Sequence, residues 1–148
     1  MTWHLAQYNV ARLLQPLDHP SLADFVAALE PINRLAEEWP GFVWRHQTPE
    51  GDSTALRPYP DDRVIINFSV WIDAESLHDY TYKSDHVDVF RRRREWFERN
   101  LEAHLVMWWI QAGHVPTIEE ADERLSMLRA KGPTPDAFTF RRRFDPPG

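Results

Sequence analysis

The chain has 148 residues, the length of a single domain, and its 43% hydrophobic and 27% charged residues exclude wholesale disorder. Seven Trp, eight Phe and four Tyr make it unusually aromatic, while the absence of Cys excludes disulfides, thiolate nucleophiles and thiolate metal sites. A net charge of −6 argues against a nucleic-acid partner, and no apolar run reaches the ~20 residues of a membrane helix. With no leader-like opening, a cytoplasmic protein without a membrane partner is the expectation.

Residues 3–12 lack turn formers and read as a first strand. Its period of two places Leu5, Gln7 and Asn9 on one face and His4, Ala6, Tyr8 and Val10 on the other. Gln7 and Asn9 are polar in an otherwise apolar strand, a first sign of a lined cavity. Asp18-His-Pro-Ser21 opens a helix whose apolar positions, Leu22, Phe25, Val26, Leu29, Ile32, Leu35 and Ala36, recur at helical spacing. Pro31 is expected to kink or restart it, and Trp39-Pro-Gly41 to end it. Residues 42–47 read as a short strand with Phe42, Trp44 and His46 on one face, and residues 48–62 as an exposed loop.

Residues 63–72 form the clearest strand, with Val64, Ile66, Phe68 and Val70 against Ile65, Asn67, Ser69 and Trp71. The apolar first face is expected under helices and the mixed second face under some other cover. Asp73 caps a short helix, and Ser84 caps another that carries His86, Phe90, Trp96 and Phe97. Residues 104–111 make a strand apolar on both faces. Thr117 and Glu120 form a capping box ahead of a helix that buries Ala121, Leu125 and Leu128 and stops at Gly132. Residues 138–140 add a last short strand.

The order β-α-β-β-α-β, followed by a helix and tail, predicts an α+β fold of the ferredoxin-like split βαβ type with an antiparallel sheet. The single domain spans residues 1–148, with an ordered core over about 3–142. Two strands apolar on both faces require a second cover, and the simplest is a second copy, which makes a homodimeric α/β barrel with a cavity inside.

Five segments carry a resemblance: Leu5-Ala-Gln-Tyr-Asn-Val-Ala-Arg12, Pro40-Gly-Phe-Val-Trp44, Asn67-Phe-Ser-Val-Trp71, Tyr82-Lys-Ser-Asp-His86 with Arg91-Arg-Arg-Arg-Glu-Trp-Phe97, and His104-Leu-Val-Met-Trp-Trp109 with Gly113-His-Val-Pro-Thr117. Together they resemble the bacterial domain of unknown function 3291, within the dimeric α/β-barrel superfamily. The resemblance implies the fold and a dimer. The superfamily includes cofactor-free antibiotic-biosynthesis monooxygenases, haem enzymes and isomerases, so a reaction follows only by analogy of fold.

On that analogy the chain is a monooxygenase-like enzyme acting on a small aromatic or polyketide-like substrate without a bound organic cofactor. His86, in the first turn of its helix and four residues after Tyr82, is the candidate base. Asn67 is the candidate holder of an oxyanion. Asn9, Ser69 and Tyr82 are candidate lining residues, and Trp44, Trp71 and Trp108 candidate stacking surfaces for a ring. The competing readings are a packed His86 and a dimer interface with satisfied polar groups. The alternative function is a non-catalytic binding or sensing module for an apolar aromatic ligand or haem, with His86 as axial ligand. Seven His show no metal-ligand spacing. Arg91 to Arg94 point all round a helix, so they form no single basic face.

Overall fold

The computed structural model describes residues 2–16, 18–46, 63–83, 91–99 and 104–147. Strand β1 spans Trp3–Arg12, the residues the sequence assigns to it. A 3₁₀ turn, Pro20–Leu22, leads into α1, Ala23–Glu38. Its cap is His19, whose Nδ1 accepts from the Ser21 N–H. Helix α1 runs through Pro31 without a break. Pro31 and Ala27 are both exposed, so the carbonyl that Pro31 leaves unpaired four residues back is solvated rather than buried.

Strand β2, Phe42–Arg45, is short and irregular, and β3 spans Val64–Trp71. Gly41 has φ +93°, and a Cβ there would collide with Ser76, so only Gly lets this turn sit against the start of α2, Ala74–Lys83. Asp73 Oδ1 caps that helix by accepting from the Ser76 N–H at 2.8 Å, as expected from the sequence. A single turn, α3, covers Arg93–Trp96. Strand β4, Leu105–Gln111, and helix α4, Ile118–Lys131, complete the elements. The strand expected at 138–140 is reduced to isolated bridges, Met107 to Phe138 and Thr139 to Arg142.

The sheet order is β2-β3-β1-β4 and every pairing is antiparallel, the ferredoxin-like arrangement. Register fixes the faces. Leu5, Gln7 and Asn9 align with Trp71, Ser69 and Asn67, and Leu5, Gln7 and Asn9 align with Trp109, Met107 and Leu105. This face lies beneath α1 and α2, where Leu5, Trp71, Met107, Leu77, Tyr80 and Ala36 share one core. The opposite face carries Ala6, Tyr8, Ile66, Phe68, Val70, Val106 and Trp108, packed on Ala121, Leu125 and Leu128 of α4. A third, smaller core gathers Leu13, Leu22, Phe25 and Trp96 at the sheet end.

Two expectations are corrected here. The mixed face of β3, expected under a cover other than helices, lies under α1 and α2, while the apolar face lies under a helix as expected. The apolar face is covered by α4 of the same chain, so its burial needs no second copy. The third correction is in β2. A bulge between Phe42 and Trp44 inserts one residue and reverses the alternation. Phe42 therefore packs on Trp71, while Trp44 packs on Phe68 across the sheet.

Candidate functional site

The face beneath α1 and α2 holds a hydrogen-bonded polar row. Gln7 is 4% exposed and Ser69 is 7% exposed, both in the middle of adjacent strands. Gln7 Nε2 donates to Asn67 Oδ1 at 2.6 Å and to Ser69 Oγ at 2.8 Å. Trp71 Nε1 also donates to Ser69 Oγ, at 2.9 Å. Ser69 Oγ thus accepts twice, which fills both lone pairs and leaves only the hydroxyl hydrogen to donate. Asn67 Oδ1 is likewise occupied, so its –NH₂ is the edge turned away from Gln7. Asn67 is exposed, and Asn9 sits directly opposite it in register, half-buried. With its oxygen taken by Gln7, the Asn67 –NH₂ is the group of the row that an oxyanion could meet.

Trp71 is a wall of this site rather than an open stacking surface. It is 1% exposed, Tyr80 stacks on it at 5.1 Å and 29°, and Phe42 meets it edge-on at 5.5 Å. Burial pushes the Tyr80 phenol well above its ordinary pKa, and the nearby Arg45 charge partly opposes that. Tyr80 Oη donates to the Ile32 carbonyl at 3.0 Å, tying α2 to α1. Arg45 follows Trp44 past the bulge, so it pairs with Ser69 on this same face. The regular alternation assumed from sequence hides it; the bulge is visible only once β2 pairs with β3.

Trp44 and Trp108 lie on the other face, so the expected ring sandwich with Trp71 does not form within one chain. Trp108 is fully buried against Phe68, and its Nε1 donates to Glu120 Oε2 at 2.9 Å. Trp44 is half-buried and edge-on to Phe68. Tyr82 stands 44% exposed on α2, packed on His78 and Phe140. Asn9, Asn67, Ser69 and Trp71 are therefore brought together, and Trp44, Trp108 and Tyr82 are not. His86 lies outside the described residues.

A second feature was not anticipated. A broad open cleft of about 660 Å³ wraps the edge of β4 and the first turns of α4, lined by Trp3, Trp109, His114 and Glu120 among others. His114 Nε2 and Glu120 Oε1 are 2.8 Å apart, Glu120 Oε2 accepts from the Trp108 indole, and the Glu120 N–H donates to the helix cap Thr117. The pair closes the turn from β4 into α4. Its signal in sequence was the capping box, which reveals Glu120 but not its ring partners. Among the described residues no group of three His, Asp or Glu is placed to hold a metal ion, and no helix is long and apolar enough to cross a membrane.

A four-stranded antiparallel sheet of order β2-β3-β1-β4, with helices on it and a hydrogen-bonded polar row on the face beneath α1 and α2, defines a ferredoxin-like α+β domain with a candidate site at that row. Residues 4–148 match the family described as Domain of unknown function (DUF3291). The chain belongs to that family. No curated protein sequence matches it. Among solved structures, it is similar to SnoaB, a cofactor-independent oxygenase from Streptomyces nogalater, with a TM-score of 0.50 and 14% identity over 76% of this chain and 95% of that one. It is also similar to NE2512, a protein of unknown function from Nitrosomonas europaea, with a TM-score of 0.47 and 13% identity over 78% and 97%. At such identities the likeness to SnoaB is one of fold.

Proposed function

We propose that the chain is a cofactor-independent, monooxygenase-like enzyme acting on a small electron-rich aromatic or polyketide-like substrate. The observation that carries this reading is the polar row Gln7, Asn67 and Ser69, in which Gln7 Nε2 donates to Asn67 Oδ1 and to Ser69 Oγ, so that the exposed Asn67 keeps its amide –NH₂ for another acceptor. The likeness of fold to a cofactor-independent oxygenase supports it.

In the reaction, a base removes a proton from a phenol or from an activated ring CH₂ group. The oxyanion that forms is held by the Asn67 amide, with Asn9 opposite and Ser69 behind it. The electron-rich carbon then gives electrons to dioxygen and bonds to it, forming a hydroperoxide. Loss of water leaves a carbonyl, so one oxygen atom ends in the product and the other in water. The substrate itself supplies the electrons, which is why no organic cofactor is required. His86 is the base assigned from the sequence alone. The homodimer that the resemblance implies joins through a surface other than the two sheet faces, because each chain covers both with its own helices.

The test is oxygen uptake with an anthrone, a ring CH₂ compound. Wild type is expected to consume dioxygen and yield the corresponding quinone. Asn67→Ala is expected to lower kcat by about 10²–10³-fold with far-UV circular dichroism unchanged, and His86→Ala by about 10²–10⁴-fold. Quenching of Trp fluorescence by the anthrone without oxygen uptake would replace the enzyme by a binding module. Unchanged turnover in Asn67→Ala would remove the polar row from the reaction.

A further inference from the structure

We infer that His114, aligned by Glu120, is a general base that takes protons from neutral, planar aromatic acids in the cleft along β4 and α4. The site is separate from the polar row. Glu120 bonds Trp108, which lies on the sheet face that α4 covers, opposite to Gln7.

The turn out of β4 sets the base. The His114 N–H donates to the Gln111 carbonyl at 3.0 Å, and Gly113, at φ +95°, supplies the left-handed position that this turn requires. A carboxylate only accepts, so His114 Nε2, 2.8 Å from Glu120 Oε1, is the donor. The neutral ring then carries its lone pair on Nδ1, which has no partner among the described residues. Glu120 is itself held. Its Oε2 accepts from the indole of the fully buried Trp108 at 2.9 Å, and its N–H donates to Thr117 Oγ1 at 3.1 Å. The carboxylate cannot swing away without stranding that indole N–H. The helix cap uses only Thr117 and the indole only Oε2, so the Oε1 contact with His114 serves neither. A carboxylate that fixes the tautomer and direction of an imidazole prepares it to accept a proton.

The cleft decides what this base meets. Its volume, about 660 Å³, is that of a small-molecule site. Trp3 and Trp109, both half-buried, are its aromatic lining, and Trp109 is fixed by donating Nε1 to the Phe144 carbonyl at 2.8 Å. The His114 side chain is 47% exposed, so a ligand in the cleft can reach the ring. Glu119, Glu120 and Glu123 against Arg124 make the lining net negative. That charge repels an anionic ligand and speeds the departure of an anionic product, while Glu120 compensates the imidazolium formed on proton transfer. A neutral planar compound that becomes an anion on losing its proton fits these conditions.

The probe is nitrobenzisoxazole, a neutral planar C–H acid. His114 Nδ1 takes the ring C–H proton, the electron pair left on carbon completes a nitrile, and the N–O bond breaks. The oxygen leaves as a coloured phenolate, and the proton passes from His114 to water. Wild type is expected to carry out this elimination at least about 10²-fold faster than an equal concentration of imidazole. His114→Ala is expected to fall to the solution rate with far-UV circular dichroism unchanged, and added imidazole to restore part of the loss. Glu120→Gln offers one acceptor to two donors, the His114 ring and the Trp108 indole, and is expected to lower kcat about tenfold with KM unchanged. A wild-type rate no faster than imidazole, or an unchanged rate in His114→Ala, overturns the inference and leaves the polar-row reading untouched. A loss in His114→Ala that imidazole does not restore makes His114 a support of the turn and overturns it equally. Should His114→Ala unfold, Glu120→Gln decides, and a kcat equal to that of wild type overturns the inference.

Discussion

At the end of β2, His46 lies against the Phe68 ring at 6.3 Å and 28°, with Trp44 at its edge. Burial among these rings lowers its pKa, since the charged imidazolium loses hydration. In the unfolded chain the same ring takes up a proton near pH 6.5. Below that pH the unfolded state binds a proton that the folded state resists. Its stabilising contribution is therefore complete above about pH 6.5 and is lost as pH falls toward the lowered folded value. Urea unfolding is expected to show a lower midpoint at about pH 5.5 than at about 7.5, and His46→Phe is expected to flatten that difference. An equal slope in both proteins would show that other groups carry the acid response. At this scale the sequence marks polarity well and surroundings poorly. Asn9, Asn67 and Ser69 stand out as polar residues in apolar strands, and they do meet. That Trp71 is already occupied by Tyr80 and Phe42 depends on three separate elements, and no local pattern carries it.

Among the elements, α4 is the most fully specified by its own residues. Thr117 Oγ1 accepts from the Glu120 N–H at 3.1 Å, Ala121, Leu125 and Leu128 form its buried stripe, and Gly132 ends it at φ +73°. All of this follows from helical spacing and capping chemistry. What the helix covers does not, because a stripe of Ala and Leu fits either face of the sheet. The bulge in β2 is illegible for a similar reason. One extra residue reverses the alternation, and only pairing with β3 reveals it. That single residue separates Trp44 from Phe42 and delivers Arg45 to the polar row. Leu125 is 2% exposed in the core formed with Tyr8, Phe68 and Trp108, so Leu125→Ala is expected to cost about 2–5 kcal/mol. Thr117→Ala, which removes only the cap, is expected to cost about 1 kcal/mol. Urea unfolding measures both. Equal small losses would mean that α4 rests on the sheet without completing its core.

For the whole molecule, the decisive feature is that one chain closes both faces of its own sheet. A sheet apolar on two sides demands two covers, and the strands at 64–71 and 105–111 announce that demand in their residues. The sequence leaves open whether the second cover is a second copy or the C-terminal helix. The structure answers with α4, while the face that carries the polar row goes to α1 and α2. Ile66, Phe68, Val70, Val106 and Trp108 are all 5% exposed or less within the single chain. Folding therefore needs no association to bury them, and any homodimer adds an interface to cores that are already complete. A protein whose core is finished by a second copy gains stability by mass action as its concentration rises. Here the chain diluted until light scattering reads a monomer is expected to keep its native circular dichroism and a cooperative melt, a dimer at higher concentration adding only its own mass-action term. A monomer that lost its cooperative melt on dilution would place part of the core between two chains, and α4 would then have to leave the face it covers.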